Sequence, residues 1–178
     1  MKYIALALSI LLVSNSSIAR EYRTRGLASR VKAAEIIFIA RIESIENEYS
    51  ANGMPRQQFA IAHVENVIVG SLEEQKVKLI TYSLTPEFNP NCCKPGDRYL
   101  VFGVRGYLRP IFNDDDDSLR YVAEETDQFV SSADGPFGVF EISDGEVLAW
   151  TSSGKPRKLE RVTDEILRAQ TKATKSLR

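Results

Sequence analysis

Histidine, cysteine and tryptophan are nearly missing from this chain of 178 residues: His63 and Trp150 stand alone, and the two cysteines, Cys92 and Cys93, are neighbours. Each scarcity closes off a class of chemistry. A hydrolytic Ser/His/Asp arrangement would have to be built on His63, and the sequence has no Gly-x-Ser-x-Gly elbow to present the nucleophile. One histidine beside two adjacent cysteines does not match the three or four spaced ligands of a protein-only zinc site. The spaced Cys-x-x-Cys of thiol oxidoreductases is also missing. We therefore expect no catalytic set, no resident metal and no cofactor, and read His63 as a structural strand residue.

An excess of charge is lacking as well. Lysine and arginine total 23 against 24 acidic residues. A chain so near neutrality has no global electrostatic reason to seek nucleic acid or an anionic membrane. The charge is unevenly placed, however. Residues 113–127 carry seven acids, including Asp114, Asp115, Asp116 and Asp117, against Arg120 alone. Residues 155–178 carry eight bases against three acids. Both runs read as solvated surfaces. Four consecutive aspartates lack the spaced ligands and turn glycine of a calcium loop, which leaves calcium binding as the secondary reading.

No apolar run reaches the roughly 20 residues of a membrane-spanning helix. The longest, Ile4–Val13, is interrupted only by Ser9, follows Lys2 and precedes Ser17-Ile18-Ala19. This is the pattern of a secretory signal peptide over residues 1–19, cleaved after Ala19. The expected product is a periplasmic or extracellular protein of one domain, residues 20–178, with no membrane insertion. In an oxidising compartment Cys92 and Cys93 have three states open: a vicinal disulfide, bonds to a second chain, or free thiols.

What the mature region does contain is a series of short strands. Residues 26–34 have helical spacing (Leu27, Val31, Ala34), and Ile36–Ile45 follows as a strand with Phe38, Ala40 and Ile42 on one face. Asn52-Gly53 marks a turn. Phe59–Val69 is a second strand whose phase slips, which predicts a β-bulge near His63. Val77, Leu79 and Thr81 alternate in a third strand, and Arg98–Val104 forms a fourth after Pro95-Gly96. Asp144-Gly145 turns a hairpin between Val139–Ile142 and Val147–Trp150, placed to close a barrel. Thr163 reads as the N-cap of a final helix with a narrow apolar stripe, lying on the barrel surface. The expected core is Ile37, Phe38, Ala40, Ile42, Phe59, Ile61, Val64, Val67, Leu79, Tyr99, Val101 and Phe102.

In their order, Ala34–Ile42, Val67-Ile68-Val69-Gly70 and the run from Cys92 through Gly96-Asp97-Arg98-Tyr99-Leu100-Val101-Phe102-Gly103 resemble the netrin-like modules, the family of the tissue inhibitors of metalloproteinases. The resemblance covers residues 28–103. It implies a mainly β protein: a five-stranded OB-fold-like Greek-key barrel with a short N-terminal helix and a C-terminal helix. It also implies a module that binds another protein, protease inhibition included. In the inhibitors an N-terminal cysteine, bridged to a cysteine of about this loop, chelates the protease zinc; here Arg20 begins the mature chain and residues 20–33 hold no cysteine. Interaction candidates are Arg20, Asn52 at its turn, and the basic and aromatic alternation Arg105, Tyr107, Arg109. The last three carry the alternative reading, a barrel that binds carbohydrate or a small ligand.

Overall fold

The computed structural model describes residues 26–49, 53, 55–83, 89–113, 118–124, 128–150 and 154–175. Helix α1 (Leu27–Ala33) leads into β1 (Ile36–Tyr49), and β2 (Pro55–Val69) and β3 (Lys76–Tyr82) follow as an antiparallel meander. Then come β4 (Arg98–Arg105), the separate two-stranded sheet β5 (Tyr107–Asn113) and β6 (Ser118–Glu124), and β7 (Phe129–Ser132). A 3-10 turn (Gly135–Phe137), β8 (Val139–Ser143), β9 (Glu146–Val147), β10 (Arg157–Lys158) and helix α2 (Leu159–Lys175) complete the order.

Five strands close on themselves. The order β1-β2-β3-β7-β4 returns to β1 through the β1–β4 ladder, Ile36↔Gly103 to Arg41↔Arg98. All neighbours are antiparallel except β3 and β7, which run parallel at Lys78↔Phe129 and Leu79↔Val130. This is an OB-like Greek-key barrel. Closure corrects one expectation. The strand that completes the barrel is β7, which has only four residues. The Asp144-Gly145 turn forms as read, with Ser143 opposite Glu146, but the second strand is only Glu146–Val147 and stops short of Trp150, and the hairpin extends β4 beside β7 along the Arg98–Val101 half. A strand so short carries too little periodicity to stand out in sequence.

β1 explains why the core has two layers. Ile36, Phe38, Ala40 and Ile42 point into the barrel with Ala60, Ala62, Val77, Leu79, Tyr99, Val101 and Val130. Ile37 and Ile39 point the other way, into a cluster with Val31 of α1, Leu100, Phe102, Phe140, Trp150, and Val162 and Ile166 of α2. A strand buried on both faces reads as a continuous apolar run. α2 is thus the lid of a second core. It starts at Leu159, four residues before the expected cap, because Thr163 lies inside the helix and donates its hydroxyl to the Leu159 carbonyl. Hydroxyl back-bonding of that kind is the interior use of the same residue type.

Bulges set the phase of β2. The β1–β2 register slips at Glu65, where Val64 and Asn66 face Ala40 and Ile39, again at Ile68, and on β1 at Glu43. The bulge expected near His63 therefore falls two residues later. Ala60 and Ala62 take the interior positions, and Ile61, Val64 and Val67 are only partly buried, unlike the other nine expected core residues. Phe59 is buried on the outside of the barrel, edge-on to Phe129 with Ile80 alongside. No described helix is long and apolar enough to cross a membrane.

Candidate functional site

The described part of the connection from β3 to β4, residues 83 and 89–97, packs its cysteines against the barrel interior. Asn89 holds its start: its carboxamide oxygen accepts from the Ser83 N–H at 2.7 Å, and its Nδ2 donates to the Ser83 carbonyl at 3.2 Å. Cys92 and Cys93 form a vicinal disulfide, half-buried against the interior cluster that includes Ile42 and Tyr99. The turn that follows is tied to β1 by Gly96 N–H donating to the Ile42 carbonyl at 2.8 Å and Ile42 N–H to the Asp97 carbonyl at 2.9 Å. Of the three states open from sequence, the intrachain bridge is the one adopted.

An intrachain bridge has a simple signature. Iodoacetamide should leave both cysteines unmodified until a reductant is added, and non-reducing electrophoresis should show no disulfide-linked dimer. Replacing both by serine should cost only about 1 kcal/mol, because the closed loop is the shortest a chain can form. Labelling without reductant would contradict the pairing.

Tyr99 anchors the same loop. Its hydroxyl oxygen accepts the Lys94 N–H at 3.1 Å. Burial pushes its pKa above the ordinary tyrosine value, with Asp97 and Glu141 adding to the rise and the Lys94 bond opposing it. The folded state therefore holds this proton more tightly than the unfolded chain. The associated stability is intact below the unfolded value near pH 10 and is lost as pH rises past it. Chemical denaturation of wild type against Tyr99→Phe should show the extra alkaline loss only in wild type. Parallel profiles would contradict it.

The outer face of β1, β2, β3 and β4 carries cross-strand ion pairs. Glu65 accepts from Arg98 Nη2 at 2.6 Å and lies 3.3 Å from Arg41 Nε. Lys76 pairs with Glu43 at 2.7 Å, Lys78 with Glu46 at 2.8 Å, and His63 Nδ1 lies 3.8 Å from Glu43. His63 is thus a half-exposed strand residue beside a ladder of charged side chains. Among the described residues no three His, Cys, Asp or Glu side chains gather where a metal could sit.

Arg105 ends β4 and is held to its surroundings. Its guanidinium donates to the Ser71 carbonyl at 2.6 Å, and its N–H donates to Glu35 at 3.1 Å. Tyr107 and Arg109 follow the left-handed Gly106 and belong to the β5–β6 sheet, opposite Glu124 and Val122. The alternation seen in sequence is split between two sheets at Gly106. The side chains of Tyr107 and Arg109, together with Arg20, Asn52 and Asp114–Asp117, lie outside the described residues.

A further concave surface lies elsewhere. Between α1 and α2 runs an open groove of roughly 730 Å3, lined by Leu27, Ala28, Ala169 and Ala173 with Lys32, Arg157, Glu165, Arg168 and Lys172 around them. Ala169 and Ala173 of α2 leave the space between the helices unfilled at this level, while Val31, Val162 and Ile166 are buried in the core cluster. Glu165 is occupied: Arg157 pairs with one oxygen and the Trp150 indole N–H donates to the other at 3.2 Å. The basic tail was visible in sequence. Its meeting with Lys32 was not, because the two are more than a hundred residues apart.

No protein-family model and no curated protein matches this chain. The functional reading rests on the barrel, its cysteine loop and the surfaces just described.

Proposed function

We propose that this chain is an exported protein-binding module of the netrin-like type. The observation that carries the reading is the closed β1-β2-β3-β7-β4 barrel with its β3–β4 connection bearing the cysteines. That is the position where the resemblance to the netrin-like modules places a cysteine. The strand order supports the barrel half of the resemblance, and the partner class is inferred from the family. A fold of this kind hosts many functions, so the assignment depends on its test.

Zinc chelation by the N-terminus is the weaker form of the proposal. The mature Arg20 would have an α-amine but no disulfide to hold it, and ordering a free terminus costs conformational entropy. In addition, α1 joins β1 at Ile36, whereas the cysteine loop is tied at Ile42. Those positions are separated by about 20 Å of strand. Titration against a zinc metalloprotease should show at most weak inhibition, unchanged when the α-amine is acetylated. Tight inhibition abolished by acetylation would reverse this judgement.

The main test uses the mature chain as bait in the exported fraction of the producing cell, alongside a glycan array. Capture of a polypeptide that is lost on competition with unlabelled bait is the expected result. Glycan binding with no polypeptide captured would overturn the proposal in favour of a carbohydrate-binding barrel. N-terminal sequencing of the exported protein should read Arg-Glu-Tyr, and recovery of the full-length chain in the cytosol would remove the compartment on which the proposal depends.

A further inference from the structure

We propose that the groove between α1 and α2 docks an acidic, leucine-bearing segment of a partner polypeptide. This rests on the protein-binding reading and names its surface. The floor of the groove is apolar, formed by Leu27, Ala28, Ala169 and Ala173. Four of the five charged residues that line it are cations, and its one carboxylate, Glu165, is already held by Arg157 and Trp150. Lys32, Arg168 and Lys172 are exposed and enter no ion pair among the described residues. Three cations around an apolar floor thus await charge from outside. Within a Debye length of about 8 Å their fields add, so an acidic ligand is attracted and a basic one repelled.

Charge also selects among occupants. In sequence, the stretches next to α1 and α2 carry Arg20, Arg23, Arg25 and Arg178 against Glu21, so these segments are electrostatically poor ligands for the groove. Nucleic acid would supply anions, but single strands are held by stacking on aromatic side chains, and none lines this groove. An anionic bilayer is flat, whereas the apolar surface here is recessed between two helices behind a charged margin. A peptide with leucines at helical spacing among acids fits both the recess and the margin.

The test measures fluorescence anisotropy of a short labelled peptide in which leucine recurs every three to four residues among glutamate and aspartate. The mature chain should bind it in the micromolar range, with affinity falling as salt rises. Arg168→Glu combined with Lys172→Glu should weaken binding by roughly tenfold or more, as loss of complementary charge does. Ala173→Trp should abolish binding by filling the floor, and Lys94→Glu, on the cysteine loop, should leave it unchanged. Thermal melts establish that each variant folds; the charge reversals are at exposed positions and carry the test if Ala173→Trp does not fold.

Equal binding by the charge-reversed variant would overturn the inference. So would equal binding of a serine-for-leucine peptide, or tighter binding of oligothymidine or phosphatidylglycerol vesicles. If the charge-reversed bait captures the same exported polypeptide as wild type, the groove is the wrong surface and the protein-binding reading stands. If neither bait captures a polypeptide and the acidic peptide does not bind, both readings fail.

Discussion

Phe102→Ala should lower the stability of this protein by about 3–5 kcal/mol, the usual cost of removing a fully buried aromatic ring. Phe102 has no exposed surface and is the point where the strands, the hairpin and both helices meet. Its ring stacks on Trp150 with centroids 6.1 Å apart and meets Phe140 edge-on at 6.0 Å, while Phe140 and Trp150 are 5.1 Å apart. Its backbone is engaged on both sides: Phe102 N–H donates to the Gly138 carbonyl, and its carbonyl accepts from Ala133, each at 2.8 Å. A cavity there has little room to collapse, because its lining is held by ladders that do not depend on the ring. At about 2–4 °C per kcal/mol for a chain of this size, the melting temperature should fall by roughly 6–20 °C. Phe38→Ala, which empties the barrel interior instead, should cost a similar amount. A loss below about 1 kcal/mol at both positions, the level of surface substitutions, would mean that the assigned strand faces are wrong.

The second large effect is expected at Asp134. Its carboxylate accepts from Arg30 Nε at 3.1 Å, and the two side chains are only 5% and 12% exposed. The Arg30 guanidinium also lies over the Phe140 ring, 5.1 Å from its centroid. This pair joins α1 to the turn after β7 across a separation of 104 residues. Breaking a buried pair leaves a desolvated charge without compensation, typically at 3–5 kcal/mol. Arg30 keeps a little solvent, so we expect about 2–4 kcal/mol for Asp134→Ala. The double replacement Arg30→Met with Asp134→Leu should recover much of the loss, because it removes the stranded charge as well. Denaturant unfolding of the single and double variants decides the matter. If the double variant is as unstable as the sum of its parts, the cost lies in packing and the electrostatic account fails.

Much of the barrel could be read directly from residue patterns, for a physical reason. Period-two alternation and turn glycines are local, so β3, β4, the start of β1 and the Asp144-Gly145 turn lay where the pattern placed them, whereas β1 runs on to Tyr49 and the hairpin's second strand ends at Val147. The register of β2 was legible as a slip of phase, but the position of the slip was decided by which residues of β1 it had to face. β7 was invisible, because four residues that alternate between buried and half-buried look like any loop. Its role comes wholly from its neighbours, parallel to β3 on one edge and antiparallel to β4 on the other. The start of α2 was misread for a related reason: Thr163 suits a cap or an interior back-bond equally, and only the packing of Leu159 and Val162 selects the second.

The same division runs through the candidate sites. Residue chemistry alone limited the cysteine pair to three states and set an acidic run against a basic tail. Which state the cysteines adopt, the splitting of Arg105 from Tyr107 and Arg109, and the union of Lys32 with Arg168 and Lys172 were decided by tertiary structure. Charge and hydrophobicity are properties of a residue and survive in the sequence. A groove is a property of the distance between two helices, and that distance depends on what the chain packs beneath them.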